Sequence, residues 1–202
     1  MSNSTWLVVG LGNPGKKYEQ TRHNVGQVTI DELSRRWRFS LREGKDKASV
    51  GETSLRDAAG TDHKVVCAIP TTFMNESGQA VRLLMKRHNL QFDSDIAQLI
   101  IVHDELDLEP GVVRAKVGGG LAGHNGLRSI TSHLSTQDYA RVRIGVGKPA
   151  SAEEGADHVL RKVAPAERAI LDTAVVLAAD VVESFILRGS AVTMNTYNTA
   201  TS

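Results

Sequence analysis

A histidine, an aspartate and three asparagines stand out, because each lies where an apolar run gives way to polar residues. Asn13 follows the run 6–9 within Gly10-Leu11-Gly12-Asn13-Pro14-Gly15, and Thr21-Arg22-His23-Asn24 comes soon after. Asn75 closes Phe73-Met74-Asn75 beyond the run 65–69, Asp104 sits in His103-Asp104-Glu105 after 96–102, and His124-Asn125 follows Gly118-Gly119-Gly120. His23, with an unperturbed pKa of about 6.5, is the natural base near neutral pH, and Asp104 is a carboxylate that can fix its tautomer. Amides donate to a developing oxyanion, or hold a substrate carbonyl, without bringing charge. No serine stands in G-x-S-x-G and Cys67 lies mid-run. Water is therefore the expected nucleophile, activated by His23 and oriented by Asp104, in the cleavage of an ester or similar acyl bond without a covalent intermediate.

Each residue also has an ordinary reading. A lone histidine in a loop is usually just hydrogen-bonded there. Asn24, Asn75 and Asn125 each precede a helical run and suit the N-cap. Asp104 opens an acidic run with Glu105, Asp107 and Glu109 that fits a solvated loop. No second acid or histidine stands at metal-ligand spacing, so no metal is expected. Phe73 and Met74 are core residues by type, or an apolar wall for a substrate. The glycines at 10, 12 and 15 spell G-x-G-x-x-G, yet Pro14 removes a backbone donor and 16–21 lacks a helical apolar period, which argues against a dinucleotide turn.

Alternating elements must position these groups. Strands are expected over 6–9, 48–55, 65–69, 96–102, 112–117 and 141–146, and helices over 25–37, 75–88, from Asn125 past Leu134, and 166–187. That order implies an α/β fold with a mostly parallel sheet covered on both faces, and ligands then gather outside the carboxyl ends of the strands. The 202 residues are 41% hydrophobic and 23% charged, with no repeat or linker, which suits a single domain over 1–202. Net charge is +1, but 111–150 holds six Lys/Arg against Asp138, a local +5 that leaves −4 elsewhere. Such a segment reads as a polyanion contact or as a solvated face. A single cysteine excludes an internal disulfide, and no run reaches membrane-spanning length, so a cytoplasmic protein is expected, with a mature organellar form as the alternative. With no spare apolar stripe, a monomer is the default.

Gly10–Gly15 with Tyr18, Thr21-Arg22-His23-Asn24 and Gly26 resembles the N-terminal signature of the bacterial-type peptidyl-tRNA hydrolases. Pro70-Thr71-Thr72-Phe73-Met74-Asn75 with Ser77-Gly78, His103-Asp104-Glu105-Leu106-Asp107, the glycine triplet with Gly123-His124-Asn125-Gly126-Leu127, and 141–147 extend the resemblance along nearly the whole chain. The resemblance implies a three-layer α/β/α sandwich around a mixed, twisted sheet. It also implies hydrolysis of the ester joining a peptide to the 3′ end of tRNA, with no cofactor. By the same resemblance His23 is the base, Asp104 keeps it basic, and Asn13, Asn75 and Asn125 bind near the ester with Met74 and His124 beside them. Tyr18 and Phe73 then meet the tRNA end, and Lys116 and Arg143 its phosphates. Two departures are the alanine at 122, where the family usually has glycine, and Glu76, where an apolar residue is common. A non-catalytic RNA-binding relative on the same fold, like plant chloroplast splicing factors, is the competing reading.

Overall fold

In the computed structural model, which describes residues 4–149, 151 and 154–199, seven strands form one sheet in the order β2-β3-β4-β1-β5-β7-β6. They are β1 (Thr5–Gly10), β2 (Arg42–Glu43), β3 (Ala48–Arg56), β4 (Asp62–Pro70), β5 (Leu99–Glu105), β6 (Val113–Val117) and β7 (Ala140–Gly145). β4, β1, β5 and β7 run parallel, while β2 with β3, β3 with β4 and β6 with β7 pair antiparallel. The centres of the four parallel strands, such as Leu7-Val8-Val9, Val65-Val66-Cys67-Ala68 and Leu99-Ile100-Ile101-Val102, are apolar and buried, as covering on both faces demands, whereas β3 is partly exposed over most of its length, as a strand nearer the edge can be.

Alternation along the strands separates two cores. Val8, Cys67, Ile100, Val102 and Val142 point to one face, against Ile30 and Leu33 of α1 (Val25–Trp37) and Ala178, Val182 and Phe185 of α5 (Pro165–Arg188). Leu7, Val9, Val66, Ala68 and Ile101 point to the other, against Val81 and Leu84 of α2 (Ser77–Arg87) and Leu127 and Ile130 of α3 (Asn125–Leu134). The molecule is thus a mixed-sheet α/β/α sandwich, as expected. Two short helices, α4 (Gly155–Leu160) and α6 (Ser190–Asn198), complete it. Neither was expected from periodicity, and neither was the two-residue β2. Cys67 lies wholly inside, where burial pushes its thiol pKa up.

The expected strand over 96–102 is displaced. A 3-10 turn takes Ile96–Gln98, and β5 continues through His103, Asp104 and Glu105, all buried. Polar side chains are therefore carried inside the sheet rather than delivered past its end. The glycine motif also has a packing cause. A Cβ on Gly10 would lie 2.2 Å from the Gly26 carbonyl oxygen, and one on Gly26 would lie 2.3 Å from that of Val102. Two glycines let the first turn of α1 sit directly on β1 and β5, so the run serves close packing rather than a pyrophosphate. Among the described residues no helix is long and apolar enough to cross a membrane.

Candidate active site

Beyond the carboxyl end of β1, Asn13 is held by Asn24. The Asn13 N–H donates to Asn24 Oδ1 at 2.9 Å, and Asn24 Nδ2 donates to the Asn13 carbonyl at 3.0 Å and to Gln27 Oε1 at 3.1 Å. Asn24 stands at the N-cap position of α1 but caps nothing with its side chain, contrary to expectation. Two backbone groups of a turn are better partners for a two-headed amide than one helix N–H. Asn13 Oδ1 accepts from Met74 N at 2.8 Å, which joins the ends of β1 and β4 and leaves Nδ2 for the cleft.

His23 lies in a 3-10 turn, Arg22–Asn24, with Nδ1 donating to Asp104 Oδ1 at 2.9 Å. Asp104 Oδ1 also accepts from His124 Nε2, at 3.0 Å. The tautomer of His124 follows from its other nitrogen. Nδ1 accepts from the N–H groups of Gly126 and Leu127 at 3.1 and 3.3 Å, so the proton is on Nε2. His124 is the N-cap of α3, a role expected of Asn125, which is instead the first helical residue and accepts from Arg128 through Oδ1 at 3.3 Å. Asn75 is no cap either. It lies in a 3-10 turn, Met74–Glu76, Glu76 holds the N-cap position of α2, and the Asn75 side chain is exposed at the cleft.

These contacts set the charge states. Burial opposes a charged His23, but the Asp104 charge and hydrogen bond prevail, and its pKa is raised above the ordinary value. Burial would likewise keep Asp104 protonated. The charges of His23 and His124 and the hydrogen bonds from both hold its pKa far below the carboxylate range. Asp104 is therefore a buried, ionised acceptor that points the His23 N–H inward, so that Nε2 carries the lone pair and has no partner among the described residues. Beneath them His103 is fully buried, its pKa pushed down to about 3 by burial and by neighbouring His124, whose ring lies 5.0 Å away.

By residue type His23, Asp104 and His124 could share a cation. The donor set does not suit one, because the Nδ1 lone pair of His124 is engaged by two backbone donors and its Nε2 carries a proton. Binding a metal there would break the α3 cap or require an imidazolate.

A cleft of about 680 Å³ joins these groups, lined by Asn13, His23, Phe73, Met74, Asn75, Asp104, Ala122, His124 and Asn125, together with Leu106 and, from α4, Ala156, Val159 and Leu160. Phe73 is 52% exposed at its rim, and Tyr18 meets it edge to face with ring centroids 6.4 Å apart. Lys116 and Arg143 do not line the cleft. They stand on β6 and β7, where Arg143 pairs with Glu105 at 3.0 Å. The +5 segment is accordingly less cationic than its composition: Lys148 pairs with Asp107, and Arg141 is buried, donating to the carbonyls of Gly118, Gly119 and Gly120. Lys116 has no ion pair among the described residues. Sequence reasoning also missed the apolar wall from α4, because a six-residue helix leaves too short a period to read.

A base with its lone pair outward, a buried carboxylate behind it and amides around an apolar cleft suit a water-using acyl hydrolase on an α/β/α sandwich. The family model described as peptidyl-tRNA hydrolase matches residues 7–202. A peptidyl-tRNA hydrolase of Kineococcus radiotolerans is 47% identical over 189 residues, 93% of each chain, and that of Geobacillus kaustophilus 42% over 192 residues, 95% of this chain and 98% of the relative. The crystal structure of peptidyl-tRNA hydrolase from Acinetobacter baumannii superposes with a TM-score of 0.84 at 37% identity, covering 98% of this chain and 97% of the other. The chain belongs to the peptidyl-tRNA hydrolase family.

Proposed function

We infer that this protein hydrolyses the ester between a peptide and the 3′ end of tRNA, releasing peptide and reusable tRNA, in the cytoplasm where translation produces that substrate. The observation that carries the chemistry is the 2.9 Å contact from His23 Nδ1 to a buried, ionised Asp104, which leaves His23 Nε2 open to the cleft. Nε2 takes a proton from a water, the hydroxide adds to the ester carbonyl, and the imidazolium stands beside Asp104. Asn13 Nδ2, whose partner oxygen is tied to Met74 N, is oriented to donate to the oxyanion, with Asn75 and Asn125 at the same mouth. Collapse breaks the bond to the ribose 3′ oxygen, and the proton returns from His23 to that oxygen.

The aromatic pair Tyr18 and Phe73 at the rim supplies stacking faces for unpaired bases of the tRNA end, and Lys116 and Arg143 are assigned to its phosphates. The tautomer of His124 supports a reaction without metal. We take the working form to be a monomer.

The test is peptide release from N-acetylated aminoacyl-tRNA by wild type and His23→Ala. Multiple turnover that falls by about 10²–10⁴-fold in the variant is expected for loss of a general base. Equal turnover in both would remove His23 from the chemistry. Salt-sensitive tRNA binding without turnover by wild type would instead make the chain an RNA-binding relative.

A further inference from the structure

We infer that Arg22, the neighbour of His23 in sequence, and Glu167 are positioning residues that fix α4 as the wall of the acyl end of the cleft and so set the preference for apolar peptides. Arg22 is buried, and its guanidinium serves two elements. Nε and Nη2 donate to both oxygens of Glu167, at 2.7 and 2.5 Å, in the first turn of α5. Nη1 donates to the carbonyl of His158 in α4, at 3.0 Å. Backbone contacts run alongside, with Val163 N donating to the Gln20 carbonyl at 2.9 Å and Thr21 bridging to Lys162. The loop that carries the base and the segment that carries α4 are thus tied at one planar, three-donor side chain.

Among the described residues, the other side-chain packing that holds α4 is slight. Its buried Val159 belongs to a small apolar cluster, with Val146 and Leu171, separate from both main cores. The His158 ring adds one contact, Nε2 to the Val146 carbonyl at 3.0 Å. The faces that α4 offers the cleft, Ala156, Val159 and Leu160, are apolar and stand with Leu106. A side chain next to the scissile ester meets this wall, whereas the tRNA end meets Tyr18 and Phe73. Arg22 and Glu167 touch no reacting atom. They act through where α4 stands.

The kinetic arm of the test rests on the hydrolase reading; the exchange arm does not. Glu167→Gln keeps the shape of a partly exposed side chain but removes the charge that holds Arg22. Amide hydrogen exchange over 155–163 in the variant should quicken by about tenfold or more, with the strands unchanged. The KM for N-acetyl-leucyl-tRNA should rise by about 5–20-fold and that for N-acetyl-glycyl-tRNA by less than about twofold, kcat holding within about twofold for both. The acid inflection of the pH–rate profile should stay in place, since His23 keeps Asp104. Unchanged exchange over 155–163 would overturn the inference. So would equal KM losses for both substrates, or a fall in kcat with a shifted inflection, which would mean that the tie serves the base or the fold rather than the wall. If wild type turned over neither substrate, the hydrolase reading would fail while exchange still decided whether the tie holds α4.

Discussion

Asp104 has two histidine donors on one oxygen, and only one of them can act as a base. The α3 cap commits the His124 lone pair to backbone, so His23 alone has a nitrogen free for proton transfer. Because the His23 pKa is raised and the base form is needed, kcat/KM should climb with pH through an inflection above about 6.5. In Asp104→Asn the carboxylate charge is gone. That inflection should move to lower pH and kcat should drop by about 10–10³-fold, with tRNA affinity nearly intact. A parallel loss of affinity would contradict the assigned role. His103 makes a separate prediction about stability. Its folded pKa of about 3 lies below the unfolded value, so between pH 6 and 4 the unfolded chain binds a proton that the folded one excludes. This group alone should lower stability by about 1.4 kcal/mol per pH unit on acidification across that window, and His103→Leu should remove that slope in denaturant titrations at several pH values.

At the scale of elements, the loop between β6 and α3 shows how backbone and side chain share the work. Buried Arg141 gathers the carbonyls of Gly118, Gly119 and Gly120, and the loop then turns through Ala122 to the capping His124. Ala122 has φ of +48°, a conformation that suits glycine and strains a residue with a Cβ. The glycine that the resemblance implies at this position would thus have a backbone reason. Ala122→Gly should stabilise the protein by about 0.5–1 kcal/mol, the relief of left-handed strain exceeding the added unfolded-state entropy. Calorimetry would show a higher Tm; a lower one would mean that the alanine methyl contributes more than its strain.

For the whole molecule, the charge distribution separates positioning from chemistry. The cleft sits at the carboxyl ends of the parallel strands, and the cations assigned to tRNA stand away from it on β6 and β7. Lys116 is unpaired among the described residues, whereas Arg143 must share its charge with Glu105. Lys116→Ala should therefore reduce the slope of log Kd for tRNA against log salt by about one, and Arg143→Ala by less. Filter binding from low to high salt measures both, and an unchanged slope for Lys116→Ala would place the tRNA path elsewhere.

What the sequence by itself determined was the alternation of elements and the α/β class, and it singled out the candidate groups of the site, because apolar period and residue chemistry are local properties. His23, Asp104 and the three asparagines needed no structure to be noticed. Only the tertiary structure decided which partner each took. Asn24 and Asn75 look alike as helix caps; Asn24 holds the Asn13 turn and Asn75 faces the cleft, because the folded chain offers Asn24 two backbone partners that no local pattern shows. Likewise the basic segment 111–150 has Arg141 turned inward and Arg143 paired, since burial and pairing depend on strands distant in sequence. The link from Arg22 to Glu167 spans most of the chain, and a contact at that separation is written only in the fold.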